Sequence, residues 1–203
     1  ARRLPASYGY TPTKDIQVLS PSRKGELGTV ELNKQLQKAL NAPSRDKREL
    51  TVNGSLLREG DKVMQVRNNY DIPWEKDDGT PGEGVFNGDV GLLISINRSA
   101  STLQVRYEDR VAVYDLEQAS DLELAYAVTV HKSQGNEFEA VVMPMYPGPR
   151  QLYYRNLLYT GVTRAKSKMI MVGTRRTVQT MVENNRKTLR YTALCAYLSQ
   201  EKT

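Results

Sequence analysis

Two short apolar runs, AVVMPM at 140–145 and KMIMVG at 168–173, constrain the fold of this chain more than any other feature. A strand that is buried on both faces of a parallel sheet is apolar at nearly every position, as these runs are. Between them, at about 150–165, apolar side chains recur at the spacing of a helix. Short buried strands that alternate with helices predict an α/β fold, with a largely parallel sheet covered on both faces.

The beginning of the chain has the same organisation. IQVLS at 16–20 predicts a strand, and a polar stretch at 21–29 follows it. The next residues predict a helix, because their apolar side chains recur near every 3.6 positions. These side chains are Val30, Leu32, Leu36, Ala39 and Leu40.

The middle of the chain has a different pattern. Between residues 62 and 120, short runs rich in β-branched and aromatic residues are separated by turn-forming clusters such as DDGTPGEG at 77–84. Several short strands with tight turns predict a small β-barrel or sandwich. We therefore divide the chain into a first α/β segment at 1–61, an inserted β unit at 62–120 and a second α/β segment at 121–203.

The net charge of +6 is unevenly distributed along the sequence. Residues 150–203 contain eleven Lys and Arg against two acidic residues, whereas residues 1–149 contain eighteen against twenty-one. A basic C-terminal part favours a polyanionic partner, since phosphates are attracted to a positive surface. An ordinary solvated basic surface explains the same asymmetry equally well.

Composition also excludes some classes of protein. No apolar run approaches the roughly 18 residues that a membrane-spanning helix needs, and the first residues contain no hydrophobic signal core. The single cysteine, Cys195, excludes an internal disulfide and a multi-cysteine metal site, and its apolar neighbours predict a packed side chain. We expect a cytoplasmic protein that does not associate with a membrane.

The stretch TVHKSQGNEFEAVV at 129–142 contains the only histidine of the chain. Its short polar side chains and its lysine are groups that hold phosphate oxygens without reading bases, and Gly135 lets the backbone approach a ligand closely. One histidine cannot form a usual transition-metal site, and no acidic residue is placed to orient a Ser-His nucleophile. A polar loop that caps a helix is the structural alternative. The candidate ligand-binding side chains are Thr129, His131, Lys132, Ser133 and Gln134.

The stretch LLYTGVTRAKSKMIMVG at 157–173 places Arg164 near the end of a predicted helix and directly before a strand. Ligands of parallel sheets gather at strand ends and in the adjoining loops. An arginine there can stabilise charge on a transferring phosphoryl group, because its guanidinium is planar and always ionised. Taken alone, Arg164 is more typical of a solvated arginine near a helix end than of a phosphate ligand.

Together the two stretches closely resemble motifs V and VI of superfamily-one helicases, and more narrowly the RecD/TraA type of DNA helicase. The segment at 18–40 is similar to the motif IV region of that group, and those at 60–70 and 85–93 are similar to its inserted barrel. The resemblance extends over about 15–175. It implies a RecA-like parallel sheet with helices on both faces, interrupted by a small Src-homology-three-like β-barrel. In the family these parts are domain 2A and its insertion, domain 2B.

The resemblance also implies roles for individual residues toward ATP. Arg164 is expected to be the motif VI arginine finger, which reaches ATP bound between two RecA-like domains. Arg23, in the motif IV loop, is expected to be a second cation near the phosphates. Gly135 and Glu137 are expected beside the nucleotide, with Glu137 near the ribose.

A second set of roles concerns single-stranded DNA. The family resemblance implies that residues 129–134 grip the DNA backbone and couple that grip to the nucleotide. Asn68, Asn69 and Tyr70 are expected at the mouth of the barrel, where Tyr70 offers a face for base stacking or serves as a structural tyrosine. For Trp74 we favour packing within the barrel over a contact with the strand. The DNA-binding candidates are Thr129, His131, Lys132, Ser133, Gln134, Asn69 and Tyr70.

The sequence lacks two elements that a motor of this kind requires. It contains no GK dipeptide, and so no P-loop, and its single Asp-Asp pair at 77–78 lies in a turn instead of after an apolar strand. We expect ATP and Mg²⁺ to be cofactors of an intact enzyme whose first RecA-like domain is missing here. The chain alone is predicted to bind no cofactor and to be inactive.

Three functional hypotheses follow. In the first, the chain is the C-terminal half of a 5′-to-3′ ATP-dependent DNA helicase, and its partners are single-stranded DNA, the N-terminal RecA-like domain of the same polypeptide and the subunits of a nuclease–helicase complex. In the second, it is a stand-alone single-strand-binding or adaptor module without ATPase activity. In the third, the barrel is a docking site for other proteins.

Overall fold

The structure, a computed structural model, describes residues 3–185. The elements of the first half are α1 (Arg3–Tyr8), β1 (Ile16–Ser20), α2 (Thr29–Leu40), β2 (Glu49–Val52), β3 (Ser55–Arg58), β4 (Lys62–Gln65), β5 (Asn69–Lys76), β6 (Pro81–Val85) and β7 (Val90–Asn97). Those of the second half are β8 (Thr102–Arg106), β9 (Arg110–Asp115), a 3₁₀ turn (Gln118–Asp121), β10 (Leu122–Leu124), β11 (Ala127–Thr129), β12 (Phe138–Met145), α3 (Arg155–Val162), β13 (Ala165–Gly173) and α4 (Arg175–Glu183).

Four strands form a parallel sheet in the order β11–β1–β12–β13. In its register Val18 of β1 lies beside Ala127 of β11 on one side and Val142 of β12 on the other. The two apolar runs of the sequence lie in β12 and β13, so the predicted mixed α/β fold with a parallel sheet is confirmed. The buried side chains of this first core include Leu19, Val141, Met143, Met145, Leu157 and Met181.

Helix α2 is predicted correctly, but the side of it that is buried is not. Its buried side chains are polar, whereas Val30 is 44% exposed. Asn33 accepts a hydrogen bond from the backbone N–H of Ala127 at 2.7 Å and donates to the carbonyl of the same residue at 2.8 Å. The amide therefore pairs with the outer edge of β11 much as a neighbouring strand would. The backbone groups of β11 need hydrogen-bond partners, and this need outweighs the apolar periodicity in deciding which side of α2 is buried.

Seven strands form an antiparallel sheet in the order β10–β4–β7–β8–β9–β5–β6. Within residues 3–185, the strand pairing does not join the two end strands β10 and β6. The sheet extends past residue 120, because the three residues of β10 pair with β4. The hairpin of β2 and β3 also contributes Leu50, Val52 and Leu57 to the second core, which this sheet surrounds.

Trp74 packs inside this β unit. Its indole Nε1 donates a hydrogen bond to the carbonyl of Gly84 at 3.0 Å, and its ring packs at the edge of the second core. A Cβ at Gly82 would come within 2.3 Å of the ring, so only glycine leaves room for the indole at this position. The guanidinium of Arg110 lies 5.2 Å from the ring centroid on a cation–π contact. These contacts support the packing interpretation of Trp74.

Asp61 and Lys62 lie where the antiparallel sheet joins the parallel one, and both are almost fully buried. The carboxylate of Asp61 accepts four hydrogen bonds, from Gln37, Asn41, the backbone of Arg58 and Tyr126. The ammonium of Lys62 donates to the carbonyl of Ile16 and lies 5.6 Å from the centroid of the Phe138 ring. Two adjacent buried charges therefore connect the two sheets.

Burial lowers the pKa of Lys62 to about 8 from an ordinary value of 10.5, although Asp15 nearby opposes the shift. Between these values the unfolded chain holds a proton that the folded chain has lost, so the free energy of unfolding rises with pH. We expect a rise of about 2 kcal/mol between pH 8 and about 9.5, measured by urea unfolding.

The Lys62→Met variant is the matched control for this pH dependence. It should be more stable than the natural chain at neutral pH and should lack the rise above pH 8, since methionine keeps the apolar stem and removes the charge. Burial raises the pKa of Tyr107, Tyr114 and Tyr126, so above about pH 10 these tyrosines keep protons that the unfolded chain has lost. Their contribution therefore lowers the free energy of unfolding as the pH rises further. The same rise in both proteins would contradict the assignment to Lys62.

Residues 186–203 lie outside the described residues, and so does the predicted packing of Cys195. Helix α4 ends at Glu183. Among the helices of residues 3–185, none combines the length and the apolar character needed to cross a membrane.

Candidate functional site

The stretch at 129–137, which we call the motif loop, runs from the end of β11 to the start of β12. Because β11 and β12 are both parallel to β1, the loop returns from the carboxyl edge of the sheet to its amino edge. Its backbone is held by two contacts to Thr129, which accepts from the N–H of Ser133 through its carbonyl and from the N–H of Lys132 through its hydroxyl. The hydroxyl of Thr129 thus helps to shape the turn.

Ser133 differs from its neighbours because it is fully buried. Its hydroxyl donates a hydrogen bond to the carbonyl of Val130 at 2.8 Å. This position does not fit the predicted direct contact with a DNA strand. The serine instead fixes the curvature of the motif loop, and the sequence alone did not reveal this because a serine in a polar run is usually exposed.

Four other residues of the motif loop are available to a ligand. His131 and Gln134 are exposed, and the hydroxyl of Tyr154 lies 3.4 Å from Nε2 of His131. Gly135 has φ +90°, which side chains rarely adopt, and the space where its Cβ would stand is open. Glu137 is also exposed. The loop therefore presents an imidazole, an amide and bare backbone on its outer side.

Lys132 and Arg23 form ion pairs with the same carboxylate. Oε2 of Glu123 lies 2.8 Å from Nζ of Lys132, and Oε1 lies 3.1 Å from Nη2 of Arg23. Arg23 follows the carboxyl end of β1 and precedes α2, so this cluster lies at the carboxyl edge of the parallel sheet. Glu123 was not predicted from the sequence, where it precedes the motif as one acidic residue among several.

Arg164 lies at the other edge of the sheet, directly before β13. Its backbone carbonyl accepts from the N–H of Phe138, the first residue of β12. Its Nη1 donates to the carbonyl of Asn136 at 3.1 Å, while Nε is buried and has no partner among the residues described. The structure thus brings Arg164 to the end of the motif loop but does not bring it together with Arg23.

Asn136 is a second residue that the sequence did not reveal. Its side-chain amide donates to the carbonyl of Gly88 at 3.1 Å, and its own carbonyl accepts from Arg164. Gly88 belongs to the tight turn between β6 and β7 of the antiparallel sheet. One residue therefore links that turn to the arginine, whereas in the sequence an asparagine after a glycine indicates only a turn.

The aromatic residues near this turn are unusually exposed. Tyr70 is 66% exposed and meets Phe86 edge-on, with ring centroids 5.6 Å apart. Phe86 is itself 43% exposed and was not predicted. The side chains of Asn68 and Asn69 are used locally. The oxygen of Asn68 accepts from the N–H of Asn87 in the turn after β6, and that of Asn69 accepts from the N–H of Asp71 in β5. Of the predicted residues at the mouth of the β unit, Tyr70 alone has an open face in this arrangement.

Comparison with known proteins agrees with the order of these parts along the chain. Residues 32–107 match the family described as the SH3 domain of ATP-dependent RecD-like DNA helicases. Residues 124–172, which contain the motif loop and Arg164, match the C-terminal domain of UvrD-like helicases. The chain belongs to the RecD-like helicases. It corresponds to a C-terminal part of them.

Curated RecD-like relatives resemble most of this chain. The ATP-dependent RecD2 DNA helicase of Deinococcus radiodurans is 31% identical over 158 residues, which are 78% of this chain and 20% of that protein. The RecBCD enzyme subunit RecD of Mycolicibacterium smegmatis is 26% identical over 178 residues, 88% of this chain and 28% of the relative. The chain thus spans between a fifth and about three tenths of the length of these relatives.

Solved structures of low sequence identity have the same fold. The Pif1 helicase from Bacteroides, in complex with ADP-AlF3 and single-stranded DNA, aligns with all of the RecD-like chain at a TM-score of 0.53 and 15% identity, over 48% of its own length. Bacteroides Pif1 bound to single-stranded DNA aligns with 92% of the chain at a TM-score of 0.50 and 14% identity, over 45% of its length.

Proposed function

We propose that this chain is the C-terminal motor half of an ATP-dependent 5′-to-3′ DNA helicase. It would comprise RecA-like domain 2A, at 1–61 and 121–203, and a barrel-like domain 2B inserted at 62–120. The observation that carries the proposal is the contact between Arg164 and the carbonyl of Asn136, because it joins the candidate arginine finger to the candidate DNA-gripping loop.

Arg164 is the residue that acts on the nucleotide in this proposal. Its Nη1 is held only by a backbone carbonyl and its Nη2 only by a 3.4 Å contact with the hydroxyl of Thr163, so the guanidinium has donors to offer to a phosphate. ATP with Mg²⁺, held mainly by the first RecA-like domain of the same polypeptide, would supply the phosphoryl group and its charge. Arg164 would approach that charge as the two domains close.

Single-stranded DNA is the second ligand in this proposal. His131 and Gln134 are exposed on the motif loop, and their imidazole and amide suit a phosphate backbone. Tyr70 and Phe86 offer exposed aromatic faces beside the turn that Asn136 contacts. Base stacking on such faces is sequence-tolerant, as a translocating motor requires.

The contact at Asn136 also supports a mechanical role for the motif loop. When Arg164 leaves the carbonyl of Asn136 for a phosphate, the loop loses a bond at one end while its other end holds the strand. The amide of the same residue ties the loop to Gly88, so the β unit would move with it. Nucleotide state and grip on DNA would be coupled through a few hydrogen bonds.

The first experiment separates the motor proposal from a stand-alone binding module. We expect the isolated chain to bind a short oligo(dT) with an affinity that falls steeply with salt concentration, since phosphate contacts release counterions. We expect no DNA-stimulated hydrolysis of ATP, because the sequence contains no P-loop. Fluorescence anisotropy and a phosphate-release assay measure the two quantities.

The control is the same chain joined to the upstream RecA-like domain of its parent protein, which should hydrolyse ATP when DNA is present. Turnover by the isolated chain would contradict the proposed division of labour. A parent protein that binds the oligonucleotide but never hydrolyses ATP would favour the adaptor alternative. Salt-independent binding would favour a contact that does not involve phosphates.

A further inference from the structure

Glu123 occupies an unusual position in the candidate site, because each of its two carboxylate oxygens binds a different side chain that is predicted to contact phosphate. Arg23 approaches one oxygen at 3.1 Å and Lys132 approaches the other at 2.8 Å. A carboxylate that bridges two cations has the same charge pattern as a bridging phosphate. In this arrangement the carboxylate engages both Nη2 of Arg23 and Nζ of Lys132.

The location of Glu123 connects these cations to the β unit. It lies on β10, where it pairs with Met64 of β4 in the antiparallel sheet. Only two residues separate β10 from β11, and the motif loop follows directly. A displacement of this side chain would therefore change contacts both at the edge of the β unit and at the start of the motif loop.

The contacts of Glu123 are of a kind that exchanges readily. Its side chain is 38% exposed, and those of Arg23 and Lys132 are 62% and 34% exposed. Ion pairs at such positions are weak, because water and salt screen them. A phosphate that brings more charge and more acceptor oxygens can compete with a single carboxylate for both cations.

The space between these residues is small while Glu123 is in place. A pocket of about 30 Å³ lies between the start of α2, β10 and the motif loop, and Arg23, Thr29, Glu123 and Lys132 are among the residues that line it. A volume of this size holds a water molecule but no phosphate group. Entry of a phosphate therefore requires that the carboxylate move away.

We propose that Glu123 is an internal latch that occupies a phosphate-binding position between Arg23 and Lys132, and that a phosphate group displaces it. The inference rests on the proposed function and deepens it, since the displacing phosphate comes from the DNA backbone or from a nucleotide. Displacement frees both cations at once and releases β10 from its link to the motif loop. Glu123 thus acts as a positioning residue for two ligands of the site.

The test is the Glu123→Gln variant of the full chain, titrated with oligo(dT) and, separately, with inorganic pyrophosphate. Glutamine keeps the shape and removes the charge, so both cations become available. We expect the affinity for the displacing probe to increase by about three- to tenfold, as the loss of two exposed ion pairs allows. A gain with oligo(dT) alone identifies the DNA backbone as the source, and a gain with pyrophosphate alone identifies a nucleotide.

Two controls distinguish the effect of releasing the latch from the effect of a general change in charge. Glu108→Gln removes the same charge from an exposed turn between β8 and β9 and should leave both affinities unchanged. In the Arg23→Met/Lys132→Met background, Glu123→Gln should produce no gain, because the cations that it would release are absent. Glu123→Ala gives a second measure if the glutamine variant folds poorly, which circular dichroism would show.

The outcomes separate this inference from the proposed function. Unchanged or weaker affinity of Glu123→Gln for both probes overturns the latch, as does an equal gain in Glu108→Gln. If the natural chain does not bind oligo(dT) but Glu123→Gln gains affinity for pyrophosphate, the latch is supported and the DNA-binding role fails. If the natural chain binds oligo(dT) and the variant changes nothing, the DNA-binding role survives without the latch.

Discussion

Replacing Arg164 by alanine in the intact parent enzyme is expected to lower the rate of ATP hydrolysis by about 10³-fold or more. The guanidinium would stabilise the negative charge that develops on the phosphoryl group, and an alanine leaves that charge without a partner. The ground-state contacts of Arg164 are few in this structure, with Nη1 on the carbonyl of Asn136 and Nη2 at 3.4 Å from the hydroxyl of Thr163. The loss should therefore appear in turnover much more than in stability.

The measurement is steady-state ATPase activity with saturating single-stranded DNA, together with the affinity for DNA without nucleotide. Lys166→Ala is a matched control, since this exposed cation lies two residues away on β13 and should leave turnover nearly unchanged. Arg164→Lys should remain strongly impaired, because an ammonium lacks the planar fork of donors. Equal losses of turnover and of DNA affinity would contradict the finger role and indicate damage to the motif loop.

Replacing Asp61 by alanine is expected to lower the free energy of unfolding by about 3–5 kcal/mol. This carboxylate is completely buried and accepts short hydrogen bonds from the side chains of Gln37 and Asn41, at 2.6 and 2.7 Å. It also accepts from the backbone N–H of Arg58 at 2.7 Å and from the hydroxyl of Tyr126 at 2.9 Å. An alanine leaves four buried donors unsatisfied at the junction of the two sheets.

Urea unfolding followed by circular dichroism measures this effect. Asp71→Ala serves as the control, because that aspartate is exposed on β5 and its loss should change stability by less than about 0.5 kcal/mol. Asp61→Asn should be intermediate, since an amide keeps one acceptor oxygen but places a donor where the carboxylate accepted. A loss for Asp61→Ala as small as that for Asp71→Ala would show that the junction relaxes around the missing carboxylate.

The sequence predicted the fold correctly wherever burial or turn formation produces a simple local pattern of residue types. The run in β12 is apolar because both faces of that strand are covered. The similar run in β13 did not predict burial correctly, since β13 is the last strand in the order of the sheet and leaves Met171 39% and Val172 47% exposed. The turn-rich segment between residues 62 and 120 indicated short antiparallel strands. The sequence did not predict which side of α2 is buried. Asn33 satisfies the open edge of β11, and the requirement for a partner there exists only once the strand is in place.

The sequence allowed us to predict which residues belong to the site, but not which of them contact each other. The motif loop and Arg164 were identified by their order and spacing, and their proposed roles stay predictions. The burial of Ser133, the bridge through Asn136 and the carboxylate between Arg23 and Lys132 were not identified. The contacts of Asn136 with Gly88 and of Glu123 with Arg23 join residues 48 and 100 positions apart, which carry no local signal of each other. The burial of Ser133 depends on how the motif loop packs, although its own hydrogen bond is to Val130, three residues away.

Local patterns in the sequence were thus enough to determine the class of fold and the order of its parts, because periodic burial and turn formation act within a few residues. They also supported a proposal for the stretch that carries the chemistry. Only the tertiary structure decided that Arg164 lies at the amino edge of the parallel sheet and Arg23 beyond its carboxyl edge. The physical reason is that hydrogen bonds and ion pairs form between whichever polar groups the packed sheets bring within about 3 Å of each other.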